Sequence, residues 1–297
     1  MNCFVLQIVV VDNHHSQLVT CGTVFQGTCQ SRTLFNISIY KTNVIPRHDY
    51  GYVASTDPSH PAVAFTAPGP SNSISLYVGT DDQPTSSLYD YRRYTCGVTR
   101  RYLDINDIPD TSYRIFYIKR PDVDGFGSFA HLSEEAATSS DFLVKYVAGF
   151  SVGSFSYFLT TQPAVYPPTS SNQRISKLSQ VCHDDQLFDS YVEMRISCLS
   201  NGKDYNLVQA ATVLQPGTRL ASRLGLSVTE HLLLASFYDS SDSALCIYRL
   251  TDIRQRFTDN IQACYSSSSL LVGRQFLGDD KYCTADSQVC QTHVFYV

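Results

Sequence analysis

Short runs in which apolar and polar residues alternate recur from one end of the chain to the other, each stopped by Gly, Pro, Ser, Asn or Asp. A period of two with this punctuation predicts half-buried β-strands. The richest case is Phe142 to Thr160. Tyr146 to Phe150 form one apolar run, Ser151 to Ser154 supply turn residues, and Phe155, Tyr157 and Leu159 alternate with Ser156, Phe158 and Thr160. This predicts a mostly buried hairpin, aromatic on both faces. Further strands are expected at Leu6 to Asp12, Gln17 to Cys21, Gly27 to Arg32, Ala62 to Ala67, Ile74 to Gly79 and Tyr113 to Lys119. Downstream, Ile175 to Cys182 and Ser190 to Cys198 read as outer strands. Tyr205 to Leu214, Leu232 to Tyr238 and Ala244 to Leu250 form a last meander. Ser133 to Ala137 reads as one helical turn. Thr251 to Cys264 reads as a helix capped by Thr251, with Ile253, Phe257, Ile261 and Cys264 on one face.

Four meanders thus begin near Leu6, Ala62, Phe142 and Tyr205, which predicts an all-β fold built of repeated blades. Composition supports this: 20 Tyr, 16 Phe and only 16% charged residues favour strands over helices. The net charge of −5 argues against a general nucleic-acid or anionic-membrane binder. Arg92, Arg93, Arg100 and Arg101, interleaved with Tyr91, Tyr94 and Tyr102, are a local exception and read as a solvated loop or edge strand.

Ten cysteines without a C-x-x-C pair fit disulfides in an oxidising compartment better than zinc. Asn36-Ile37-Ser38 is an N-glycosylation sequon. The first residues read as a strand, with no basic start and no cleavage site, and no run is long enough for a membrane helix. A fragment of a longer secreted or membrane protein is expected.

Several motifs imitate enzymes. Gly149-Phe150-Ser151-Val152-Gly153 fits the G-x-S-x-G nucleophile elbow, but an elbow needs a helix after the serine and the text there is strand-like. Ser151 is therefore placed in a turn. A secreted hydrolase using Ser151 with His183 or His231 as base is the rival reading. Gly125 to Ala130 mimics a dinucleotide fingerprint without a preceding strand, so no cofactor is implied. His14-His15 lacks a third ligand, so no metal is implied. His183-Asp184-Asp185 reads as a solvated turn.

Taken together, several segments resemble the sema domain of plexins. They are Cys21-Gly22-Thr23 to Gly27-Thr28-Cys29, Ala64 to Pro70, Tyr146 to Thr160, and Arg174 to Leu178 leading to Cys182. Ser190-Tyr191-Val192-Glu193 leading to Cys198, Tyr205 to Ala211, and Ala244-Leu245-Cys246 complete the set. Order and spacing agree over most of the chain, and the B type is the first choice. Semaphorins and the hepatocyte growth factor receptor group share the fold and are the alternatives. Semaphorins usually carry a Trp and a basic run near Asp189 to Glu193, and this chain has no Trp; the receptor group's basic processing site is absent after Cys198.

The resemblance implies a seven-bladed β-propeller, of which residues 1–297 supply roughly blades two to five. An insertion at 80–140 and a helical and loop extension at 251–290 interrupt it. It also implies the pairs Cys21–Cys29, Cys198–Cys246, Cys264–Cys283 and Cys182–Cys290, where the last two acceptors are interchangeable. The implied function is semaphorin recognition by a cell-surface receptor, not catalysis. A membrane anchor would lie elsewhere in the parent protein, and receptor self-association is a further expectation. The ligand contact would fall in the 80–140 insertion, with Asp81, Asp82, Arg92, Arg93 and Phe116 as candidate residues.

Overall fold

The structure, a computed structural model, describes residues 5–23, 27–42, 53–55, 57–81, 97–104, 106, 108, 115–118, 129–131, 142–164 and 173–266. The first antiparallel sheet holds β1 (Leu6–Asp12), β2 (Gln17–Gly22), β3 (Cys29–Thr33) and β4 (Tyr40–Thr42) in chain order. The second holds β5 (Val63–Pro68), β6 (Ile74–Thr80), β7 (Gly97–Tyr102) and β8 (Phe129–His131). The third holds β9 (Lys145–Val152), β10 (Phe155–Pro163), β11 (Arg174–Cys182) and β12 (Val192–Ile196). A hairpin of β13 (Cys198–Ser200) and β14 (Lys203–Tyr205) leads to a sheet of β15 (Leu207–Leu214), β16 (Leu232–Asp239) and β17 (Asp242–Arg249). Helix α1 (Thr218–Leu224) links β15 to β16, and α2 (Leu250–Ser266) follows β17. Among the described residues no helix is long and apolar enough to cross a membrane.

The first strands of successive sheets are neighbours: β1 lies beside β5, β5 beside β9, and β9 beside β15. Meanders that share an inner ring in this way are the blades of a β-propeller, as the repetition in the sequence led us to expect. The core is divided between the blades. One cluster joins the first and second sheets around Val19, Leu76 and Phe116, and another joins the second and third around Tyr77, Phe158 and Phe188. The third lies between the third and fourth sheets and includes Tyr157, Phe237 and Phe257 of α2.

Strand β10 is buried at every position because both of its faces are covered. Tyr157 stacks on Phe150 at 5.0 Å on the side of the fourth sheet, while Phe158 meets Phe65 of the second sheet at 5.2 Å. Burying each large side chain contributes roughly 1.5–3 kcal/mol, so an aromatic hairpin is a strong organising element. The same packing explains Gly149: a Cβ there would stand 2.6 Å from the Phe65 ring. The hairpin turn is Gly153-Ser154, with Gly153 at φ +62° as the tight turn requires. Both glycines of the elbow-like motif are thus accounted for by the fold.

Four expectations need correction. Ser151 is not in the turn; it lies in β9 and pairs with Ser156. Strand β11 is internal, flanked by β10 and β12, so only β12 is outer. The described part of Tyr113 to Lys119 is a turn closed by one bridge between Ile118 and Arg101. Phe116 there sits at φ +71°, which breaks an extended run. Helix α2 starts at Leu250, so Thr251 lies inside it, and its hydroxyl donates to Glu230 at 3.0 Å instead of capping. Ile253, Phe257 and Ile261 are buried on one face as expected. The helical turn at 133–137 lies outside the described residues.

Candidate functional site

The 80–140 stretch expected as an insertion contains β7 and β8, which complete the second sheet, and two layers meet where β6 ends and the chain enters the third sheet. Asp81 directly follows β6 and is buried, 3% exposed, with its Oδ2 accepting the Val144 amide at 2.9 Å. Its carbonyl accepts His60 Nδ1 at 2.6 Å. Arg174 lies close enough to Asp81 to feel its charge, and donates to the carbonyls of Leu143 and Thr161. Asp81 therefore ties the exit of β6 to the entry of β9. Phe116 is 2% exposed; its amide donates to Tyr102 O, and its carbonyl accepts Arg101 Nη1. Asp81 lies at the start of the 80–140 stretch and Phe116 within it, and both are buried rather than presented at the surface. Asp82, Arg92 and Arg93 lie outside the described residues.

The arginines of β7 depart from the solvated reading, because both are fully buried. Alternation along Gly97–Tyr102 sends Arg100 and Arg101 to opposite faces. Arg100 Nε donates to Tyr77 Oη at 2.9 Å, Nη1 to the Asp185 carbonyl at 2.6 Å and Nη2 to the Cys182 carbonyl at 2.9 Å. Its guanidinium lies 4.8 Å from the Phe188 ring centroid and 5.1 Å from that of Tyr77. Tyr77 Oη in turn donates to the Pro68 carbonyl. One side chain thus joins the second sheet to the turn that follows β11 in the third. Burial depresses the Arg100 guanidinium below its usual range. Arg101 is pushed down to about 9 by burial and donates to Thr99 Oγ1 and Phe116 O.

The turn that Arg100 grips is not solvated as the sequence suggested. Asp184 is exposed, but His183 and Asp185 are buried. Asp185 Oδ2 accepts the Ser190 amide and hydroxyl, Oδ1 accepts the Leu187 amide, and Ser190 Oγ accepts the Cys182 amide. Below it, Lys177 pairs with Glu193 at 2.7 Å, and Tyr191 Oη donates to the other Glu193 oxygen.

The rival reading receives a partial match here, since Ser151 Oγ and His183 Nε2 are 3.1 Å apart. The pair lacks the rest of the machinery. Burial first, and the Arg100 charge second, push His183 down to about 4, far from the operating range of a general base. A backbone hydrogen bond to Phe155 opposes that shift, so the orienting partner is main chain rather than a carboxylate. Ser151 is the penultimate residue of β9, and strand β10 rather than a helix follows the turn. His231 precedes β16 in the fourth sheet, where its carbonyl accepts the Leu250 amide.

His183 gives a pH prediction. Its folded value near 4 lies below the ordinary 6.5, so the fold favours the neutral ring. Stability is then full above 6.5 and is lost as pH falls towards 4, by at most about 3 kcal/mol. Urea midpoints measured from pH 7 to 4 are expected to fall less steeply in His183→Gln than in the native chain. Equal slopes would remove His183 from the acid response.

At the first sheet, His15 sits between Asp12 at 2.6 Å and Asp104 at 3.5 Å. Burial acts to raise the Asp12 carboxyl, but hydrogen bonds from Gln17 and His15 outweigh it and hold the value down. Among the described residues no group of three or more His, Cys, Asp or Glu side chains is placed to hold a metal. Disulfides join Cys21 to Cys29 and Cys198 to Cys246, as the resemblance implied. Cys182 is also disulfide-bonded. Its expected partner Cys290, the side chains of the Cys264–Cys283 pair, and Cys3 and Cys96 lie outside the described residues.

No protein-family model matches the chain. Plexin-A4 of Danio rerio is 29% identical over 293 residues, covering 89% of this chain and 14% of the relative. Among solved structures, the plexin A4 full extracellular region superposes with a TM-score of 0.71 and 26% identity, over 94% of this chain and 33% of that one. Drosophila Semaphorin 2a gives 0.51 with 16% identity over 92% of this chain and 41% of that one, a likeness of fold alone. The blades and these superpositions define a sema-type β-propeller. Within that class, its sequence is similar to the extracellular region of plexins. The chain spans about one seventh of the plexin-A4 relative's length. These relatives are A-type plexins and do not carry the B-type choice.

Proposed function

We propose that this chain is the ligand-binding part of a plexin-like semaphorin receptor and recognises a protein partner at the cell surface in guidance or adhesion signalling. The observation that carries this reading is the likeness to the plexin A4 extracellular region over 94% of the chain. Residues 1–297 are assigned to a partial sema domain, roughly blades two to five, in which the 80–140 stretch contributes β7 and β8 to the second sheet. Its place is the extracellular side of the plasma membrane, in a parent held there by a segment outside this sequence. The two disulfides fit that oxidising environment. The role is recognition without catalysis. The depressed His183 and the strand setting of Ser151 weigh against a serine hydrolase. Self-association of the receptor remains part of the proposal.

Contact with the semaphorin is assigned to the 80–140 stretch, through Asp82, Arg92 and Arg93, with the buried Asp81 and Phe116 as its internal supports. Arginine and carboxylate groups at an interface centre commonly carry a large share of binding energy. The double variant Arg92→Glu/Arg93→Glu is expected to weaken semaphorin binding about ten-fold or more, measured by surface plasmon resonance. Unchanged affinity would move the contact out of this stretch.

A further inference from the structure

The connection from β3 to β4 is an exposed apolar turn built around the one Asn-x-Ser/Thr triplet in the sequence. Residues 35–40 are all exposed, with Phe35 at 82%, Ile37 at 57% and Tyr40 at 51%. The turn is nevertheless firmly held. Thr33 Oγ1 and the Ile39 amide both donate to the Asn36 carbonyl, and the Thr33 amide donates to Ile39 O. Arg32 donates to the Ile37 carbonyl and to Tyr40 Oη, with its guanidinium 4.0 Å from the Tyr40 ring centroid. Asn36 Oδ1 accepts the Ser38 amide at 3.0 Å, which folds the sequon into an Asx turn. The Asn36 Nδ2 donates to no described residue and faces solvent.

We infer that Asn36 carries an N-linked glycan whose first sugars cover the apolar surface of Phe35, Ile37 and Tyr40. Three independent features converge on it. The acceptor triplet is presented on a held, fully exposed turn, its amide nitrogen is unused, and the side chains around it are apolar where a secreted domain would ordinarily be polar. A sugar has an apolar face of C–H groups suited to aromatic rings and a polar rim suited to water, so it matches this mixed surface. In the transfer, C1 of an oligosaccharide carried on a polyprenyl pyrophosphate bonds to Asn36 Nδ2. The C1–O bond to pyrophosphate breaks, the lipid pyrophosphate leaves with the electron pair, and one amide proton is released. No oxidant is required. The inference rests on the extracellular reading, since that transfer occurs only on a chain entering the secretory route.

The test is secretion of the full 297-residue chain from insect cells behind a cleavable leader, with the native chain compared against Ser38→Ala. Ser38→Ala removes the hydroxyl the transfer needs but keeps the Asx turn, which uses only the Ser38 backbone. We expect peptide-N-glycosidase F to shift the native chain to higher mobility and to convert the Asn36 amide to an acid in the peptide map. Ser38→Ala is expected to lose the shift while retaining Cys21–Cys29. Enzymatic removal of the glycan should brighten an apolar surface dye, and Phe35→Ser/Ile37→Ser should abolish that gain. A secreted chain with Cys21–Cys29 formed but Asn36 unmodified overturns the inference and leaves the extracellular reading standing. Free thiols at both cysteines overturn the two together. A glycan whose removal leaves dye binding unchanged overturns the covering role, as does a protein partner captured by the glycosylated chain and lost in Phe35→Ser.

Discussion

Arg100→Met is expected to lower the unfolding free energy by about 3 kcal/mol, read from urea denaturation with the disulfides intact. The native guanidinium serves the Asp185 and Cys182 carbonyls and Tyr77 Oη, and lies beside two aromatic rings. Methionine fills much of the volume but donates nothing, which leaves two buried carbonyls unserved at roughly 1–3 kcal/mol each. Relief of the desolvation of a buried charge works the other way and reduces the net loss. Arg100→Lys is expected to fare little better, because one ammonium cannot reproduce the planar fork that reaches three acceptors at once. The consequence is local to the seam between the second and third sheets, so hydrogen exchange should rise first in β7 and in the turn after β11. A variant within about 0.5 kcal/mol of native would mean that desolvation cancels the staple.

Gly27→Ala is expected to be at least as damaging, about 3 kcal/mol or more, because two separate costs fall on one position. A Cβ at Gly27 would stand in the space of the Ala54 carbonyl, a backbone atom that no rotamer change can move aside. The residue also lies at φ +79°, where an L side chain is strained. Gly27 O accepts the amides of Val53 and Ala54, so the chain cannot back away without breaking those bonds. The expected readout is a large drop in thermal midpoint, with Cys21–Cys29 slower to form on oxidative refolding. Near-native stability would show that the segment around Ala54 shifts at little cost.

The blades were readable before the structure because both ends of the inference are local. Alternation gives strands, Gly-Ser or Asn-His-His-Ser gives turns, and the run Leu6 to Arg32 folds into neighbouring strands almost as written. Burial on both faces was also legible in Phe142 to Thr160, where aromatic residues occupy odd and even positions. What failed was every statement that depended on the next blade. Arg100 and Arg101 looked solvated because no local pattern says that the third sheet supplies two carbonyls, and the same holds for His183 and Asp185. A signal existed in retrospect: Gly97 to Tyr102 alternates as a strand and carries no charge of opposite sign to Arg100 and Arg101. Ser151 was misplaced by two residues because Val152 looks equally at home in a strand or a turn. The packing of Phe65 against Gly149, which leaves no room for a side chain there, is invisible at short range.

Equilibrium binding of the secreted 297-residue chain to a panel of semaphorin ectodomains tests the central claim most directly. Saturable binding to at least one member, weakened by Arg92→Glu/Arg93→Glu and retained in Ser151→Ala, is the expected result. Absence of saturable binding to every member by a chain with Cys21–Cys29 and Cys198–Cys246 formed would contradict a semaphorin-receptor role for this propeller.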